Sequence, residues 1–148
     1  MVAGTAVRTQ RRWEFSHTAA AVPAAREQLV EFLTCLGVAD AIVMEAELVA
    51  SELLGNAVTH GRADSQDHIS IQVRVRDHVV EVAVTDGGPA DGQVPDVRPR
   101  RTSVVATRGR GLRIVRALAH EWGVVVEDGD GGTTVWAAIG GPSRRRVV

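Results

Sequence analysis

Lysine is missing from this 148-residue chain; all 17 basic side chains are arginine. That excludes a lysine Schiff base and a lysine phosphate clamp, and with them the ordinary P-loop, so any phosphate must be held by arginine or backbone amides. Cys35 is the sole cysteine, which leaves neither a disulfide framework nor a zinc cluster. It falls in an apolar helical segment and is expected to be a small buried core residue. No apolar run approaches the roughly 18 residues of a membrane span, and the N-terminus lacks a signal-peptide core. A cytoplasmic chain with no membrane partner is the expectation. Strong charge of one sign is also lacking: a net charge of −1 creates no overall field toward nucleic acid, so no direct nucleic-acid partner is expected.

What is present suits one soluble domain. With 45% hydrophobic and 24% charged residues, the chain can bury a real core. The domain is expected over residues 11–140, with flexible tails at 1–10 and 141–148. Residues 11–16 alternate around Trp13 and Phe15 as a short edge strand. Residues 19–36 read as a helix with Pro23 in its first turn, an apolar face of Leu29, Val30, Phe32, Leu33 and Leu36, and Gly37 as its stop. A longer helix follows over residues 39–60, with Gly61 as the expected left-handed stop. Residues 68–76 and 79–85 alternate with period two on either side of Asp77-His78, which predicts an antiparallel hairpin. A third helix opens at Leu112 and reaches about His120, and two more strands are predicted over 122–127 and 133–139.

The long helix carries two stripes. Val43, Ala46, Ala50, Leu53 and Ala57 fall on one face, and Glu52, Asn56 and His60 stack on another at four-residue steps. An amide oxygen on such a ridge can ligate magnesium, which takes few protein ligands alongside phosphates and waters, and a carboxylate one turn away can take a proton from a nucleophile. The same triplet also fits a solvated helix face. Asp86-Gly87-Gly88-Pro89 ends the second hairpin strand with a carboxylate and glycines that let backbone approach a ligand, although Asp-Gly is also ordinary turn chemistry. Residues 90–107 have little periodicity and are read as a lid or a disordered loop. Arg108-Gly109-Arg110-Gly111-Leu112 then exposes free amides at a helix start, a way to hold phosphate without lysine.

Taken together, Glu-x-x-x-Asn-x-x-x-His on a helix, Asp-x-Gly after a strand, Gly-x-Gly-Leu opening a helix and Gly-Thr before a last strand resemble the GHKL family of ATPases. The resemblance covers about residues 11–139. The ending Asn-Ala-x-x-His-Gly is most similar to the stand-alone anti-sigma factor serine/threonine kinases. It implies a two-layer α/β sandwich, with a mixed, mostly antiparallel sheet and helices on one face. It implies ATP and Mg2+ as ligands, with Asn56 on the metal and Glu52 as catalytic base. Asp86 would accept from the adenine amino group, Gly88 would let the ring approach, and Gly109 and Gly111 would offer amides to phosphate between Arg108, Arg110 and Leu112. Thr133 would support the adenine end, with Thr134 as fallback, and His60 would lie near the nucleotide. Pro89-Ala90 departs from the family's pattern, in which a further glycine is common. Arg26 resembles an arginine that such kinases use on a partner, although a solvated arginine is the simpler reading.

The implied function is transfer of the ATP γ-phosphate to a protein antagonist together with sequestration of a sigma factor, in a homodimer. The alternative is a nucleotide-gated binding module with little or no turnover. Glu52 favours the kinase, because a pure binder has no need of a base there.

Overall fold

The computed structural model describes residues 9–88, 112–127 and 132–140. Eight elements follow in order: β1 (Thr9–Ser16), α1 (Ala21–Cys35), α2 (Asp40–His60), β2 (His68–Arg76), β3 (Val79–Asp86), α3 (Leu112–Leu118), β4 (Glu121–Val126) and β5 (Thr133–Gly140). The strands form one five-stranded sheet in the order β1-β2-β3-β5-β4. The expected two-layer α/β architecture is present, with one refinement to the sheet. All four strand pairings are antiparallel among the described residues. β3 and β4 do run in the same direction across α3, but β5 lies between them, so the parallel pair is split.

Alternation decides which face is covered. Ile69, Ile71 and Val73 of β2, Val80, Val82 and Val84 of β3, and Ala137 and Ile139 of β5 are buried. Between them Arg74, Glu81 and Thr134 point the other way, as period-two geometry requires. Onto the buried face packs α2, whose Val43, Ala46, Val49, Ala50, Leu53, Leu54 and Ala57 are all buried. α1 and α3 both pack against α2, so this helix is the centre of the helical layer. Trp13 of β1 meets Phe32 of α1 edge-on at 5.6 Å, and the Arg11 guanidinium lies 5.7 Å from the Trp13 ring centre. No helix among the described residues is long and apolar enough to cross a membrane.

α1 stops as its sequence predicts. Gly37 has φ +75°, its N–H donates to Thr34 O and the Val38 N–H donates to Leu33 O, which is the paired-bond helix ending that a glycine permits. Two expectations on this helix fail. Cys35 is exposed and Leu36 is 40% exposed. Leu29 and Leu33 define the core stripe, and at 100° per residue position 35 turns some 200° away from position 33. The hairpin turn is correct in place but carries strain. Asp77 and His78 have φ +47° and +65°, the left-handed pair that a two-residue turn needs and that Asn-Gly supplies at least cost.

The double substitution Asp77→Asn, His78→Gly should therefore stabilise the fold by about 1 kcal/mol. Urea denaturation at fixed pH will show this as a higher midpoint with an unchanged slope; a lower midpoint would mean that the His78 side chain contributes more than its backbone costs.

Candidate functional site

Three chain segments meet where α2 ends. β3 delivers Asp86 at its last position, on the covered face shared with Val80, Val82 and Val84. The Arg62 N–H donates to Gly88 O at 2.8 Å and the Gly87 N–H donates to Arg62 O at 2.7 Å, so the segment after α2 is laced to the loop after β3. β5 begins opposite, with Thr133 paired to Asp86 and Thr134 to Thr85.

Space in this corner is provided by glycine. Gly61 was expected to close α2 in the left-handed region, but its φ is −91° and its ψ 170°, a conformation open to any residue. Its role is steric instead. A Cβ on Gly61 would overlap Asp86 Oδ2 and come within 2.7 Å of Ala57 O, so a larger residue would displace the carboxylate from the helix end. A Cβ on Gly87 would overlap the Ala63 carbonyl, and one on Gly132 would overlap the Asp86 carbonyl. Gly88, at φ +104°, is different: a Cβ there would meet only Arg62 Nη2, at 3.8 Å. The side of the corner next to Gly88 is therefore open among the described residues.

The electrostatics are unusual for a turn aspartate. Burial pushes the Asp86 carboxyl up to about 6, against the opposing pull of the Gly88 N–H and of the nearby His17 and Arg62 side chains. The Gly88 N–H reaches Asp86 Oδ1 at 2.7 Å. Beside it the Thr133 hydroxyl is buried with no hydrogen-bond partner among the described residues. A buried hydroxyl without a partner loses on the order of 1 to 3 kcal/mol. The register also separates the two threonines, because the Thr134 hydroxyl faces the opposite side and lies 2.7 Å from the Thr85 hydroxyl.

The polar ridge of α2 is as predicted in its placement. Glu52 and Asn56 are half-buried and His60 is exposed at the last turn. No hydrogen bond or ion pair engages them among the described residues. Leu112 begins α3 and is buried in the core. Arg108, Gly109, Arg110 and Gly111 lie outside the described residues, as does the predicted lid over 90–107. Arg26 lies on α1, with its Nε 3.5 Å from Glu47 Oε1, a surface ion pair.

His17 went unnoticed in the sequence. It sits in the turn between β1 and α1, and its Nε2–H donates to Ala57 O at 2.9 Å. A lone histidine after a strand carries no periodic or motif signal, and only the tertiary approach of that turn to α2 exposes its place.

Asp86 binds a proton in the fold at a pH where the unfolded chain has released it. The stability so gained is fully present below the ordinary carboxylate range and is lost as pH rises through about 6. Asp86→Asn escapes that loss. At pH 8 the variant should exceed the wild type by about 1 to 3 kcal/mol in urea denaturation, with the gap closing as pH falls toward 4; a constant gap would show that the carboxyl is not perturbed.

Comparison with known proteins accords with this geometry. The family model for the histidine kinase-like ATPase domain matches residues 15–139. A search of the curated proteins found no match. Among solved structures, the RsbU and RsbW domains of Rv1364c from Mycobacterium tuberculosis share the fold, with a TM-score of 0.66 at 24% sequence identity over 92% of this chain. The chain spans 34% of that structure's length. Since the family match runs from the end of β1 through nearly all of β5, the chain belongs to the histidine kinase-like ATPase domain family.

Proposed function

We propose that this protein binds ATP in the corner around Asp86 and transfers its γ-phosphate to a serine or threonine of a protein antagonist. The observation that carries the reading is the partly buried Asp86 carboxylate beside the unpartnered Thr133 hydroxyl. An ionisable group kept at a cost to stability, next to an unsatisfied buried hydroxyl, is a site rather than a scaffold. The carboxylate is an acceptor for the adenine amino group, and the hydroxyl can reach a ring nitrogen directly or through water. The open side at Gly88 admits the ring.

Asn56 and Glu52 supply the other end. No group of three or more His, Cys, Asp or Glu side chains among the described residues is arranged to hold a metal alone, so magnesium would take the Asn56 amide oxygen and complete its shell with phosphate and water. When bound, it neutralises charge on the transferring phosphoryl group. Glu52 accepts the proton of the acceptor hydroxyl. That oxygen bonds to the γ-phosphorus as the bond to the β–γ bridging oxygen breaks, and ADP departs. Sequestration of a sigma factor, phosphorylation of its antagonist and a homodimeric state are proposed from the resemblance of the motifs.

The base-reading role is tested by nucleotide choice. ATP should bind at least tenfold more tightly than GTP, and Asp86→Asn should bind ATP about tenfold or more weakly, from loss of a hydrogen bond to a charged acceptor worth on the order of 1.5 to 3 kcal/mol. Calorimetry that finds equal ATP and GTP affinity removes Asp86 from the purine.

Chemistry is tested at Glu52. Removing a general base reduces transfer by about 10² to 10⁴ and spares ground-state binding, so Glu52→Ala should bind ATP like the wild type while no longer labelling an antagonist. The experiment incubates labelled ATP with the products of neighbouring genes, for wild type and variant side by side. If the wild type labels none of them and the variant behaves identically in every partner pull-down, a nucleotide-gated binder replaces the kinase.

A further inference from the structure

His17 is a polar side chain at this corner that the proposed chemistry does not use. Its surroundings are specific. The backbone N–H of His17 donates to Asp67 O at 3.1 Å, in the connection after α2, and the ring donates to Ala57 O at 2.9 Å. That same carbonyl accepts the Gly61 N–H at 3.1 Å. The imidazole therefore caps the carbonyl end of α2, where the helix dipole favours positive charge. Gly61 in turn lies directly against the Asp86 carboxylate, so ring, helix end and carboxylate form one contiguous group.

We propose that His17 is a positioning residue of the purine corner, which ties the last turn of α2 beneath Asp86 and supplies positive charge that keeps this carboxylate an acceptor. The proposal rests on the reading of Asp86 as the group that meets the purine amino group. An ionised carboxylate only accepts hydrogen bonds, whereas its protonated form presents an O–H that suits a purine carbonyl instead. The charge on Asp86 thus bears on which purine the corner prefers. Among the described residues, the groups facing this carboxylate are the Gly88 N–H of its own loop, His17 from the β1–α1 turn and Arg62 from the α2–β2 connection. Thr133, its partner across β5, carries no charge. Arg62 is exposed, whereas His17 is half-buried and its ring is held in place by the bond to Ala57 O.

Charge and tether are separable by substitution. His17→Gln retains an N–H for Ala57 O and has no charge; His17→Arg retains charge. Two readouts are taken on the full chain: the pH titration of the Asp86 carboxyl carbon by NMR without nucleotide, and ATP affinity by calorimetry from pH 5.5 to 8.5. In His17→Gln the Asp86 carboxyl should titrate about one pH unit higher than in the wild type. ATP affinity should fall by roughly fivefold near pH 6 and stay within about twofold of wild type at pH 8.5. His17→Arg should titrate at or below the wild-type position. An unmoved Asp86 titration in His17→Gln, or an affinity loss equal at every pH, overturns the proposal. Wild-type protein that binds no ATP at any pH sinks the nucleotide reading instead, and the carboxyl titration then still decides whether His17 holds that charge.

Discussion

The contact between the Asp86 carboxylate and the bare backbone of Gly61 is the constraint on which the rest of the site depends. It brings the end of β3 against the end of α2, and nothing larger than hydrogen fits between them. The two backbone bonds between Arg62 and the 87–88 loop hold the contact in register. Because α2 lies across the sheet and also packs on α1 and α3, fixing its C-terminal end fixes the direction of the Glu52–Asn56 ridge as well. Asp86 at one end of the corner and Glu52 at the other are thus both referred to one helix.

Stability and function pull against each other at this point. Apolar burial on α2 and the sheet forms a continuous core from Ala21 to Ile139, and each of its Leu, Ile and Val side chains contributes about 1.5 to 3 kcal/mol when fully buried. The corner works the other way, since it withdraws a carboxylate from water and leaves the Thr133 hydroxyl without a partner among the described residues. Selection for stability alone would replace both groups. Their presence fits a domain in which a strong core supports a locally unfavourable, ligand-ready edge.

Much of this was legible in the sequence, for physical reasons. Period two in residues 68–86 and period 3.6 in residues 40–60 report directly which side chains face the core, so β2, β3 and α2 were found almost to the residue. Gly37 was legible as a stop because the helix ending needs a positive φ there. Gly61 was correctly placed at the end of α2 and wrongly explained, since a glycine required for space looks the same in sequence as one required for backbone conformation. Cys35 was assigned inward on composition; a helix face is set by angle, and two residues beyond Leu33 the angle points outward, while Leu36 is the C-cap that follows the last helical residue.

By itself the sequence determined the elements, the covered faces and the residue types that chemistry requires, because periodicity and turn chemistry are local properties of the chain. Strand order, the placing of β5 between β3 and β4, and which of Thr133 and Thr134 shares a face with Asp86 were decided only by tertiary structure, since register is a relation between strands far apart in sequence. His17 belongs to the same class. Forty residues separate it from the carbonyl it bonds, and no local pattern marks such a partner; the packing of the β1–α1 turn against α2 brings the imidazole to the carboxylate.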